Sequence, residues 1–168
     1  MAKFISEKIK MKSESRLAAV QANYMIVYGQ LPVDEVIKDF TDGKVGRYVI
    51  EEDVETDNEE MVEVSEMDKP YFEEIVRGVQ KNKEDLEKAI KSYLAEGYSF
   101  ERMDGTLQSL LLCAMYEIIN THDVDTKVII KEYVDLAYAF FSKKEPKMVN
   151  ALLDSIAREQ RKLCSVDD

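Results

Sequence analysis

The sequence predicts an all-α fold, and three observations carry that prediction. The stretch LQSLLLCAMYEIIN, residues 107–120, has almost no polar face at helical period, so it is stable in water only where other helices surround it. Apolar residues recur at three- and four-residue spacing in most of the remaining chain. The 3 Pro and 6 Gly allow few turns, and 168 residues suffice to bury one sizeable core among about seven helices.

Each predicted helix has its own buried stripe. In chain order the stripes are Leu17, Val20, Tyr24 and Val27; Val33, Val36, Ile37 and Phe40; Phe72, Ile75, Val76 and Val79; Leu86, Ala89, Ile90, Tyr93 and Leu94; residues 107–120; Ile129, Tyr133, Leu136, Ala137 and Phe140; and Val149, Leu152, Leu153 and Ile156. Gly78 lies inside the third helix, where it costs about 1 kcal/mol relative to Ala unless another helix packs closely there.

Local signals mark the helix ends. Asp104 is placed to cap the central helix, and Asp68 with Pro70 opens the third. Gly97 closes the fourth helix, and Pro146 is the first residue of the seventh.

The acidity of the chain is local. Residues 51–68 contain ten acids and no base, so removing them from the net charge of −11 leaves −1 for the rest. We interpret residues 41–67 as a long acidic surface loop, with weak strand character only at residues 47–50. The loop belongs to an N-terminal lobe, residues 1–82, and a C-terminal lobe follows in residues 83–168.

Catalytic signatures are missing from the sequence. His122 is the only histidine and lies in a turn, Cys113 lies on an apolar helix where a thiol is inert, and no phosphate loop or nucleophile elbow occurs. No enzyme activity, metal or cofactor is therefore expected. No stretch is apolar and long enough to span a membrane, and two cysteines without motif spacing indicate a cytoplasmic protein.

Two basic clusters are candidates for nucleic-acid binding. Residues 1–16 hold five bases against two acids, and Lys8, Lys12 and Arg16 form one ridge if the first helix begins early. If Ser13 or Ser15 caps that helix instead, Lys8 and Lys10 lie on a flexible arm. A solvated, lysine-rich terminus is the alternative to an RNA-binding one.

The second cluster is Lys143, Lys144 and Lys147 around Pro146, beside the free amides of a helix start that suits phosphate. Gln21 and Tyr24 follow the first ridge, and an aromatic ring beside amide and cation donors suits an unpaired base. The alternatives are lysines that merely flank a loop and a tyrosine that packs in the core.

Five blocks, in order, resemble the NusB transcription antitermination factors. The blocks are SRLAAVQANY (15–24), GVQKNKEDLEKAIKSYL (78–94), LLLCAMYEII (110–119), residues 124–141, and KMVNALLDSIAR (147–158). They resemble, respectively, the family's RxxAVQALY opening, its third-to-fourth helix junction, its LRxAxYEL central helix, its VPxKVxINExVxLAxxF segment and its KFVNGVLDKIAR terminus.

The resemblance implies a fold of two perpendicular three-helix lobes with an extra helix, sharing a core. It implies binding of boxA-type single-stranded RNA together with NusE, a small-subunit ribosomal protein. The complex would join RNA polymerase for antitermination and support ribosomal RNA synthesis. The resemblance also leaves open whether the protein forms a homodimer. A protein-interaction module that binds NusE with little RNA affinity is the alternative function.

The resemblance also implies which residues form each site. The RNA-binding positions would be Arg16, Gln21, Tyr24, Lys147 and Asn150, with Lys8, Lys10 and Lys12 in place of the family's basic arm. NusE would dock near Glu101, Asp104 and Glu117. This arm is rich in lysine where the family's is rich in arginine, and lysine lacks the planar guanidinium. Leu112, Gln108 and Met148 also depart from the family pattern.

Overall fold

The computed structural model is a helical protein with one small β-hairpin. It describes residues 2–43, 48–53, 58–63 and 66–165, and the side chains of residues 6–43 and 66–161. Its helices are α1 (Ala2–Tyr28), α2 (Val33–Thr41), α3 (Lys69–Lys81), α4 (Lys83–Tyr93), α5 (Gly105–Asn120), α6 (Thr126–Phe140) and α7 (Lys144–Ser165), with a short 3₁₀ turn at Phe100–Arg102. The all-α prediction and the number of helices are confirmed.

The hairpin corrects the prediction of a loop. Strands β1 (Tyr48–Asp53) and β2 (Asn58–Glu63) pair antiparallel within the acidic segment. Their register sets Glu51 opposite Glu60 and Glu52 opposite Glu59. Like charges directly opposite are unfavourable in a sheet. The sequence predicted a loop because the scattered valines and methionines of this segment show no clean period. Residues 44–47, which include Gly46 and the start of the predicted strand, lie outside the described residues.

The chain divides into two compact units, residues 1–74 and 75–168. In the first unit α1 packs against α2, and the rings of Phe40 and Phe72 lie 5.4 Å apart. The start of α3 is tied to α1, because Ser15 Oγ donates to the carbonyl oxygen of Asp68 over 2.8 Å. The Asp68 carboxylate accepts a hydrogen bond from the Tyr71 amide at 3.1 Å, which confirms that Asp68 opens this helix.

In the second unit α5 packs against α4, α6 and α7. Every residue of α5 from Ser109 to Ile118 is buried, which confirms the prediction of a buried central helix. Its N-cap is Asp104, whose carboxylate accepts a hydrogen bond from the Thr106 amide at 2.8 Å. Asp125 caps α6 in the same way, through the Lys127 amide.

A close contact inside the second unit explains the glycine in α3. A Cβ built on Gly78 would lie 2.2 Å from Cε2 of Tyr116, far inside van der Waals contact. Only hydrogen fits there, because the ring of Tyr116 from α5 packs directly against Gly78. A side chain of another helix thus occupies the space that a larger residue would need.

Arg161 of α7 connects the end of α5 to the turn that follows it. Its guanidinium donates to the carbonyl oxygens of Ile118 (3.0 Å), Thr121 (3.0 Å), His122 (3.2 Å) and Val124 (3.1 Å). Ile118 lies in the last turn of α5, where carbonyls have no partner within the helix, and the other three carbonyls belong to the following turn. One side chain thus joins the end of α5 to that turn, and no local pattern in the sequence marks this contact.

Two predicted helix boundaries and one predicted buried residue are wrong. The helix α4 ends at Tyr93 with Leu94 as its C-cap, whereas Gly97 lies in the following turn with φ +94°. The helix α7 begins at Lys144, so Pro146 is its third residue rather than its first, still within the turn whose amides lack helical partners. Phe140, expected to face inward, is exposed.

Candidate nucleic-acid interface

The N-terminal basic ridge is helical. Because α1 begins at Ala2, the alternative of a flexible arm capped by Ser13 or Ser15 is wrong. Ser13 Oγ donates to the Ile9 carbonyl oxygen instead, at 3.1 Å. Lys8 and Lys10 are exposed and Lys12 is half-buried. Lys8 and Lys12 are four residues apart and share one face of α1, whereas Lys10 is two residues from each and lies on another face. The side chain of Lys3 lies outside the described residues.

Tyr71 contacts two cations of this ridge, Arg16 and Lys12. Arg16 is only 2% exposed, and its Nη2 donates to Tyr71 Oη at 3.1 Å. The guanidinium carbon lies 5.3 Å from the centre of the Tyr71 ring, and Lys12 Nζ lies 5.1 Å from the same centre. Cations at this distance from an aromatic face are attracted to it.

The burial of Arg16 changes its part in the predicted site. A guanidinium that is almost completely buried is not placed to grip a phosphate directly, so we reassign Arg16 from contact to positioning. It fixes Tyr71, and Tyr71 in turn lies beside Lys12. Burial raises the pKa of Glu14, and the attraction of Lys10 acts against that rise.

Two exposed aromatic rings continue along α1. Tyr24 is 42% exposed and Tyr28 is 47% exposed, and their ring centres lie 4.9 Å apart at an angle of 36°. Gln21, one turn before Tyr24, is half-buried. The alternative that Tyr24 packs in the core is therefore wrong. Exposed rings of this kind offer stacking faces for unpaired bases.

The second basic cluster surrounds the start of α7. Lys143, Lys144, Lys147 and Asn150 are all exposed, whereas Pro146 is buried. The first turn of a helix presents amides without helical partners and the positive end of the helix dipole. Three lysines and a side-chain amide around such a turn suit an anion such as phosphate.

The predicted partner face divides into exposed and buried groups. Glu101 is exposed and forms an ion pair with Lys91, which together with a hydrogen bond from Ser99 lowers the pKa of Glu101 to about 2. Asp104 is exposed beside it as the α5 cap. Glu117 is fully buried and accepts a hydrogen bond from Tyr133 Oη, so it cannot contact a partner in this structure and we remove it from the face.

The residues of the first site, which we call the α1 cluster, lie in the first unit, and those of the second site, the α7 cluster, lie in the second. The α1 cluster is Lys8, Lys10, Lys12, Gln21, Tyr24 and Tyr28, and the α7 cluster is Lys143, Lys144, Lys147 and Asn150. Sequence reasoning missed two residues at the α1 cluster, Tyr71 and Tyr28. Tyr28 follows Tyr24 at the four-residue spacing of one helix face, a signal that was available in the sequence. Tyr71 reaches α1 only through the tertiary fold, and no local pattern marks it.

In the described part of the chain, no group of three or more His, Cys, Asp or Glu side chains could hold a metal ion. None of the described helices is long and apolar enough to cross a membrane. Cys113 is buried as a free thiol.

The comparisons with known proteins agree with one another and cover most of the chain. The family model described as "NusB family" matches residues 13–158. A transcription antitermination protein NusB from Sphingopyxis alaskensis is 34% identical over 158 residues, covering 94% of this chain and 99% of that protein. The protein of the same name from Caulobacter vibrioides is 35% identical, covering 92% and 97%. In fold, T. maritima NusB superposes with a TM-score of 0.68 at 22% identity, over 88% of this chain and 90% of the other.

Proposed function

This chain belongs to the NusB family of transcription antitermination proteins, and from that premise we propose that it binds boxA-type single-stranded RNA together with the ribosomal protein NusE. In this role it is a cytoplasmic adaptor without catalysis. It joins the antitermination complex on RNA polymerase and supports transcription of ribosomal RNA.

The observation that carries the RNA-binding proposal is the group of exposed cations at the start of α7. Lys143, Lys144 and Lys147 surround a helix turn whose amides have no partner within the helix, and Asn150 adds a neutral donor one turn on. A phosphate there meets several donors at once. Such contacts are independent of base sequence and weaken as salt rises, because binding releases counterions from the RNA.

The exposed side chains of α1 supply the second part of the site. Lys8, Lys10 and Lys12 attract the backbone of the strand, while Tyr24 and Tyr28 offer stacking faces to its bases. Gln21 is one turn from Tyr24 and can donate to a base edge. We propose that one RNA strand contacts both the α1 cluster and the α7 cluster.

The NusE-binding part of the proposal rests on Glu101 and Asp104. Both carboxylates are exposed at the connection into α5 and attract a basic partner surface. A homodimer that covers the same surfaces would compete with these complexes.

A charge-reversal series tests the RNA site. Lys147→Glu is expected to weaken boxA binding about tenfold and to reduce the salt dependence, since one phosphate contact is lost and a like charge replaces it. Lys88→Glu is the matched control, because Lys88 is an exposed helical lysine on α4 and the charge change is identical. Fluorescence anisotropy of a labelled boxA oligonucleotide with NusE present is the assay. Equal affinities for the two variants would contradict the proposed site.

A second candidate function is a NusE-binding module with little RNA affinity of its own. Two observations favour it: the arm carries lysine rather than arginine, and Arg16 and Lys12 already lie against Tyr71. NusE titrations with and without boxA RNA separate the candidates. If NusE binds equally well in both and RNA adds nothing, the interaction module is the better description.

A further inference from the structure

A groove of about 450 Å³ lies between α6 and α7, all within the second unit. Lys147 and Asn150 of the proposed RNA site line it from α7. Lys127, Lys131 and Tyr138 line it from α6, and none of these three belongs to the RNA site described above. The groove is thus an open continuation of that site along the length of α6.

The charge in the groove favours an anionic occupant. Its lysines are exposed, and its two carboxylates already have cationic partners on their own helices. Lys131 Nζ lies 3.1 Å from Asp135 Oδ2, and Arg158 Nη2 lies 3.0 Å from Asp154 Oδ2. Exposed ion pairs one helical turn apart are weak, so an incoming phosphate can exchange with the carboxylate at Lys131.

An aromatic ring lies in the groove among these polar groups. Tyr138 is 55% exposed, so a large part of its ring is open to solvent. Ile130, Val134 and Pro146 supply apolar surface beside it. An exposed ring with flanking cations suits single-stranded nucleic acid, whose bases stack while its phosphates pair with lysine.

We infer that this groove takes the part of the RNA strand that continues beyond Lys147, so that the bound strand runs along α6 toward Lys127. Lys127 and Tyr138 are eleven residues apart on one helix, a distance of about 16 Å at 1.5 Å per residue. The groove therefore extends the RNA footprint. This inference rests on the proposed RNA-binding function.

RNA length separates the groove from the rest of the site. The probes are a short boxA oligonucleotide and the same sequence extended by unpaired nucleotides at either end, both measured with NusE present. The double variant Lys127→Glu/Lys131→Glu is expected to lose about tenfold in affinity for the extended RNA and to change less than about twofold for the short one. Its salt slope with the extended RNA should fall by about 1.4, from two single-strand phosphate contacts.

The control is Lys83→Glu/Lys88→Glu on α4. It makes the same charge change, and Lys83 forms an i,i+4 ion pair with Glu87 as Lys131 does with Asp135. Equal losses in the control and the test variant, or no loss in either, would overturn the groove assignment. A loss of NusE binding with unchanged RNA affinity would also overturn it, because the groove would then hold a polypeptide.

Failure of the proposed RNA-binding function would give a different result from failure of the groove inference. If the wild-type protein binds neither oligonucleotide, RNA binding itself is refuted and the groove inference falls with it. If the wild-type protein binds both oligonucleotides with the same affinity, RNA binding stands and the groove inference alone is refuted.

Discussion

Replacing Arg161 by Ala should destabilise the protein without touching the proposed RNA site. The substitution removes four hydrogen bonds from a charged donor, three of them partly buried and one exposed. Hydrogen bonds to charged groups contribute about 1.5–3 kcal/mol each, but water can replace the donor wherever a carbonyl becomes accessible. We therefore expect a loss of about 2–4 kcal/mol in the free energy of unfolding.

Thermal and urea unfolding followed by circular dichroism measures this loss. For a chain of this size, 1 kcal/mol corresponds to about 2–4 °C, so Tm should fall by roughly 6–12 °C for a loss of about 3 kcal/mol. Arg161→Lys should recover part of the stability, since an ammonium keeps the charge but not the planar set of five donors.

Arg158→Ala is the matched control on the same helix. Arg158 is exposed and pairs only with Asp154 one turn away among the contacts described here, so its loss should cost less than about 0.5 kcal/mol. If Arg161→Ala is no more destabilising than Arg158→Ala, the contacts at the end of α5 do not stabilise the fold and the reasoning is refuted.

Three further predictions concern single sites. Gly78→Ala should lower the free energy of unfolding by about 1–3 kcal/mol, because its Cβ would overlap the Tyr116 ring; unchanged urea unfolding would contradict this. The Glu101 carboxylate stabilises the fold above its unfolded pKa of about 4.5, and this stabilisation is lost as pH falls toward its folded pKa of about 2. Glu101→Gln should therefore flatten the pH dependence of Tm in that window. If Tm falls equally with acid in the variant and the wild-type protein, the ion pair with Lys91 does not stabilise the fold. Tyr28→Ala should weaken boxA binding by about 1–3 kcal/mol while Tyr28→Phe does not, as measured by anisotropy; equal effects of the two would refute stacking.

The helical fold was predictable because its strongest signals are local. An apolar surface on every side of α5 requires burial wherever the helix lies, and Asp104 caps through a hydrogen bond two residues along the chain. The start of α1 was ambiguous because Ser15 can cap a helix or continue one. Ser15 lies inside α1, and its bond to Asp68, distant in sequence, holds the start of α3.

The candidate site was predictable only in part. Exposed lysines at the start of α7 follow from the position of Pro146 near a helix start. The burial of Arg16 and Glu117 does not follow from the sequence, because each is placed by a tyrosine from another helix. Local charge patterns show which residues can bind an anion, and tertiary packing decides which of them remain exposed.

An NMR titration of the isotope-labelled protein with up to one equivalent of a short boxA oligonucleotide, with unlabelled NusE present, shows whether one strand occupies both clusters. If it does, the amide signals of residues 8–12 and of residues 144–150 shift together and reach saturation at the same stoichiometry. Shifts in one group alone, or two groups that saturate at different RNA concentrations, would contradict a single strand bound by both clusters.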